Sequence, residues 1–117
     1  MSEDLIPFQS FPDIQDHQEV LKATSLQINK DAGEEWINTS HELSPESIYQ
    51  AVREQINIMC DCNVPGLVRL FYRVDLPEQT VRQVIERDDP GSVVDQLTYL
   101  LVRREALKVF YRMSYSA

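Results

Sequence analysis

Apolar residues recur along most of this chain at intervals of three and four, the spacing that places side chains on one side of an α-helix. The clearest run follows Ser44, where Ile48, Val52, Ile56 and Met59 keep helical spacing and Tyr49, Ala51, Ile58 and Cys60 widen the apolar arc. Ser44 is a good N-cap, Pro45 suits the first helical position because its missing N–H is not needed there, and Leu43 can staple onto Ile48 across the cap. These signals predict a central helix over 45–61.

Upstream, Asp16 and Glu19 form the two halves of a capping box, Val20, Leu21, Thr24 and Ile28 make one stripe, and Gly33 supplies a stop. A helix over 17–31 is predicted. Leu26 and Ile28 also alternate, so a hairpin competes, with 20–29 and 35–37 as strands about the turn Lys30-Asp31-Ala32-Gly33. That alternative would make the fold α+β through a small hairpin near 24–38. Downstream, Asn63 and Pro65 restart the chain, and Leu67, Leu70, Phe71 and Val74 predict a short helix over 65–73. Asp75 with Glu78 reads as another capping box, with Pro77 in the first turn and Val81, Val84 and Ile85 on the buried side of a helix over 76–87.

Asp88-Asp89-Pro90-Gly91 breaks the chain and opens a last helix over 90–113, within which nothing stops it. At about 100° per residue, its apolar residues fall into two stripes that point nearly opposite ways. Val93, Val94, Leu97, Leu100 and Leu101 form the first; Val102, Ala106, Val109, Phe110 and Met113 form the second. The first stripe is expected to pack on the core. The second is expected to be covered by the chain's own N-terminal arm or to meet a partner, with Val102, Val109, Phe110 and Met113 as contact residues for another protein or a second copy of the chain. Arg104 projects into the first stripe and needs either an edge position or a carboxylate such as Glu54 or Asp95, because an unpaired buried guanidinium is costly.

Residues 1–15 mix Pro7 and Pro12 with Leu5, Ile6, Phe8, Phe11, Ile14 and acids, in neither a helical nor a strand period. They read as an extended acidic arm that either lies across its own domain or presents a short acidic, aromatic motif to another protein. The expected architecture is all-α: the arm over 1–15, then one domain over 16–117 with four or five helices, the longest at the C-terminus. A chain of 117 residues, 43% apolar and 26% charged, suits a single buried core. No apolar run approaches the roughly eighteen residues of a bilayer crossing. The start Met1-Ser2-Glu3-Asp4 lacks the basic and apolar regions of a secretory signal, so the expectation is a cytoplasmic protein without a membrane partner.

Charge is distributed unevenly. Residues 1–46 carry ten carboxylates against Lys22 and Lys30, which accounts for the whole net charge of -8, whereas 47–117 carry nine acids and nine bases. An acidic chain is repelled by phosphate backbones unless its arginines form a local patch, onto which the acidic half could also fold. Arg69, Arg73, Arg103, Arg104, Lys108 and Arg112 are the candidates for such a patch, with Tyr99, Tyr111 and Tyr115 among them. The competing reading is that they are solvated faces paired with neighbouring acids. A helix-turn-helix over 65–87 is disfavoured, because Pro77 and Glu78 occupy the end that would read bases.

Candidate reactive groups are sparse. Cys60, Cys62, His17 and His41 could in principle hold a metal, but C-x-C in a helix points the two sulfurs about 200° apart. Cys60 is expected in the core and Cys62 at its margin, both as free thiols, with Asp61 and the helix C-terminus raising their pKa values. Gly33, Gly66 and Gly91 are too scattered for a phosphate loop, and neither G-x-S-x-G nor H-E-x-x-H occurs. Neither cofactor nor catalytic residue is expected. The functional expectation is a non-catalytic protein–protein interaction or regulatory module, self-associating through its C-terminal helix, with an accessory nucleic-acid-associated protein as the alternative.

Overall fold

Helices α1 (His17–Ala32), α2 (Pro45–Cys62), α3 (Val64–Val74), α4 (Glu78–Ile85) and α5 (Pro90–Tyr115) make up the computed structural model, which describes residues 17–86 and 90–115. The arm over 1–15, the Asp16 cap and the break at Asp88-Asp89 lie outside the described residues. No strand occurs among the described residues, so the all-α expectation holds and the hairpin near 24–38 gives way to the last turns of α1 and an irregular segment after it.

The reason lies in two amide side chains on α1. Gly33 closes that helix with a left-handed φ of 79°, its N–H bonded to the Asn29 carbonyl at 2.9 Å. The chain then runs back along α1 to Leu43. Asn29 accepts from the Trp36 and Ile37 N–H groups at 2.9 and 3.0 Å and donates to the Ile37 carbonyl at 2.9 Å. Gln18 does the same for Leu43, donating to its carbonyl at 2.7 Å. Backbone groups that a hairpin would pair with a second strand are thus satisfied by α1 itself, while Ile37 and Leu43 enter the core.

Ser44 caps α2 as its position predicts. The Ser47 N–H donates to the Ser44 hydroxyl, and the Ser44 N–H to the Ser47 hydroxyl, each at 3.0 Å. Asn63 ends α2 and starts α3, its side chain accepting from the Gly66 N–H at 3.1 Å. A Cβ at Gly66 would collide with that side chain, so glycine there keeps the cap in place. Asp75 departs from expectation. It terminates α3 in the left-handed region at φ 68° rather than boxing α4, whose N-cap is Pro77 with no side-chain cap bond. An aspartate in that conformation closes the preceding helix, and its carboxylate goes to Arg104. α4 is consequently shorter than the predicted 76–87.

α5 is the element around which the others pack; it touches each of α1, α2, α3 and α4. Its two apolar stripes do not diverge. Val94, Leu97 and Leu101 and then Val102, Ala106 and Val109 all join one core, with Thr98 and Glu105 buried between them. At about 100° per residue these positions form one continuous arc of about 180°. Val102 and Val109, at 1% and 0% exposure, are therefore interior residues and not a partner surface. Phe110 and Met113 are half-buried against the same core.

Candidate functional site

Two features stand out beyond the packed core: a partly buried polar cluster between α1 and α5, and an open apolar cleft between α3 and α4. The cluster is built on Glu105, whose residue exposure is 0%. As carboxylate oxygens, both Glu105 acceptors lack a donor within hydrogen-bond distance. Lys108 Nζ stands 3.6 Å from one of them and 3.4 Å from an Asp31 oxygen. Burial pushes the Glu105 pKa up to about 9, helped by the hydrogen bond and negative charge of Asp31, so Glu105 carries its proton at neutral pH and donates it toward Asp31. Burial also opposes ionisation of Asp31. Hydrogen bonds from Glu105 and Gln27 and the Lys108 charge outweigh it and hold the Asp31 carboxyl below its ordinary range. The two carboxyls share one proton and one lysine, an arrangement that ties α1 to α5.

The expected basic patch is largely spent on similar internal contacts. Arg73 donates to the Asp31 carbonyl at 2.7 Å, Arg104 to Asp75 at 3.2 Å, and Arg112 to Gln27 at 3.0 Å, while Lys108 belongs to the cluster. Arg69 and Arg103 are exposed on α3 and α5. Arg104 thus pairs with neither Glu54 nor Asp95; Asp95 instead receives Arg53 at 2.6 Å. Arg104, Lys108 and Arg112 follow one another at intervals of four along α5, each with a polar partner on a neighbouring element.

Cys60 is half-buried and Cys62 exposed, both as free thiols. Burial, then the Asp61 charge, raises the Cys60 pKa and keeps the sulfur protonated. Among the described residues no three His, Cys, Asp or Glu side chains gather where a metal ion could be held, and no helix is long and apolar enough to cross a membrane.

The cleft arises from a division of labour on α3. Leu67, Leu70, Phe71 and Val74 face the core as their spacing predicts, which leaves Val68 and Tyr72 outside at 58% and 86% exposure. α4 does likewise. Val81 and Val84 are buried and Ile85 is 52% exposed. Between the two helices, Val68, Tyr72 and Ile85 surround a space of about 490 Å³ floored by Phe71, Leu76 and Val81, with the Arg82–Glu78 ion pair at its edge. Sequence reasoning missed this cleft. Its signal was present in Val68 and Tyr72, large residues one turn apart on the side of α3 away from the predicted stripe.

Among the described residues, fold and cleft together define a five-helix bundle with an apolar groove on one helix pair. Comparison with protein-family models, curated proteins and solved structures gave no match.

Proposed function

We propose that this chain is a non-catalytic protein-interaction module whose docking surface is the α3–α4 groove. The observation that carries the reading is the concentration of exposed Val68, Tyr72 and Ile85 around one concave apolar cleft. Scattered exposed apolar residues are ordinary, but a group rimming a cleft with polar residues at its border is the kind of surface that receives an apolar segment of a partner. The absence of a catalytic role is supported by the placement of the titratable groups. The Glu105–Asp31–Lys108 cluster is closed to solvent at Glu105 and satisfied internally at Asp31, so it serves packing.

This relocates the interaction surface from α5 to α3 and α4. A photoreactive p-benzoylphenylalanine at Tyr72, compared with one at the exposed Asn57 on α2, tests it in the source cells. Adducts specific to the Tyr72 position and suppressed by Val68→Glu support the groove. Identical adducts from both positions, or none, remove it.

A further inference from the structure

We propose that α1 and the segment after it, residues 18–43, move as one flap that pivots at Leu43–Ser44 and is latched onto α5 by Glu105, Asp31 and Lys108. The pivot is marked by a change of bonding partner between two adjacent residues. Up to Leu43 the chain is tied back to α1: Gln18 donates to the Leu43 carbonyl at 2.7 Å and accepts from its N–H at 3.3 Å, and Asn29 holds Trp36 and Ile37. From Ser44 onward it is tied to α2, through the reciprocal bonds with Ser47. Rotation about Leu43–Ser44 breaks none of these bonds, so residues 33–43 travel with α1.

The latch lies at the opposite end of α1, about 20 Å from Gln18 at 1.5 Å per residue. There Arg112 donates to Gln27, Arg73 to the Asp31 carbonyl and Lys108 to the Asp31 carboxylate. Glu105 makes this end sensitive to protons for a geometric reason. Its side chain is sealed from solvent and neither of its oxygens has a donor within hydrogen-bond distance. Ionised in the closed flap, it would be a buried charge facing a second carboxylate, with one lysine between them at 3.4 and 3.6 Å. Among the described residues, Asp31 from α1 and Lys108 from α5 are the charges that act on it, and α2 and α4 add none. From α3, Arg73 addresses the Asp31 main chain and Asp75 is taken by Arg104. The closed flap therefore holds the Glu105 proton, and the open flap, with the side chain in water, releases it. Opening uncovers apolar surface at Ile28 of α1 and at Val109 of α5, which Lys108 and Arg112 bracket with their bonds to α1.

Hydrogen exchange of the full chain, followed residue by residue by NMR at pH 6 and pH 8 and divided by the intrinsic rate at each pH, tests the proposal. Both values lie between the ordinary Glu105 pKa of 4.5 and its closed value of about 9. The amides of 21–32, with those of Trp36, Ile37 and Leu43, are expected to exchange as one set, protected at least tenfold less than 52–58 in α2. Their protection should fall about a hundredfold from pH 6 to pH 8, because the open and closed states differ by one proton. Glu105→Gln, neutral and of nearly the same shape, should abolish that fall while the two sets stay distinct. Equal protection of the two sets in the parent overturns the flap, since α1 then leaves only when the whole chain unfolds. Parent protection that is the same at pH 6 and pH 8 overturns the latch, and so does a fall that persists undiminished in Glu105→Gln. The two parent readings need no variant, so the proposal stands or falls even with a Glu105→Gln chain that does not fold.

Discussion

Glu105 is the residue with the largest consequence for solution behaviour. Its ordinary pKa is 4.5 and its folded value is about 9. Between those values the unfolded chain has released a proton that the folded chain keeps, so stability is greatest below about pH 4.5 with respect to this group and falls as pH rises toward 9. Asp31 works in the opposite sense below its ordinary value of 3.8, outside that window. Glu105→Gln keeps a neutral side chain of nearly the same shape. It is expected to flatten the slope and to stabilise the fold at pH 8.5 by at least about 1.4 kcal/mol, one pH unit's worth, relative to a small effect at pH 5. Urea melts of both proteins at the two pH values check this, and parallel slopes would contradict it. The position was not legible in the sequence, because a glutamate between two apolar stripes reads as the polar divider that separates them. Lys108 stands one turn away on the same helix, but only the contact with α1 brings Asp31 to the pair. Asn29 is a second such residue: its side chain serves three backbone groups of Trp36 and Ile37. Asn29→Ala is expected to cost about 1–3 kcal/mol, read from the same melts.

At the level of the helices, local signals foretold much of what is observed. The Ser44 cap, the Pro45 start, the Asn63 restart and the Gly33 stop each lie at the end of a helix in the fold. Such devices act within one turn, so the residues that decide them are neighbours in the chain. Ser44→Ala is expected to lower stability by about 1 kcal/mol, seen as a shift in the denaturation midpoint with the denaturant slope unchanged. Asp75 shows where the local signal divides. An aspartate followed three residues later by glutamate can open a helix, but the same aspartate can close the one before it, and α3 supplies more buried side chains than α4 to settle the outcome. Because φ at Asp75 is 68°, Asp75→Gly should be tolerated, while the β-branched Asp75→Val should cost about 1–2 kcal/mol. Equal stability of the two variants would remove the backbone explanation.

For the molecule as a whole, the decisive fact is that α5 is covered on about half its circumference by four other helices. Val109→Asp, placing a carboxylate at a position with 0% exposure, is expected to unfold the protein, whereas Tyr72→Asp on the groove should leave its stability within about 0.5 kcal/mol of the parent. Thermal melts of the two variants separate interior from surface directly. The order of the helices and most of their ends follow from spacing, caps and breakers, which are properties of adjacent residues and survive without any knowledge of packing. Which apolar stripe of α5 meets which neighbour, the burial of Glu105, and the exposure of Val68 and Tyr72 follow only from how the helices are arranged around one another. Periodicity reports that a side chain lies on an apolar face; whether that face is covered depends on elements distant in the chain, and five helices sharing one small core covered the C-terminal face and left the α3–α4 face open.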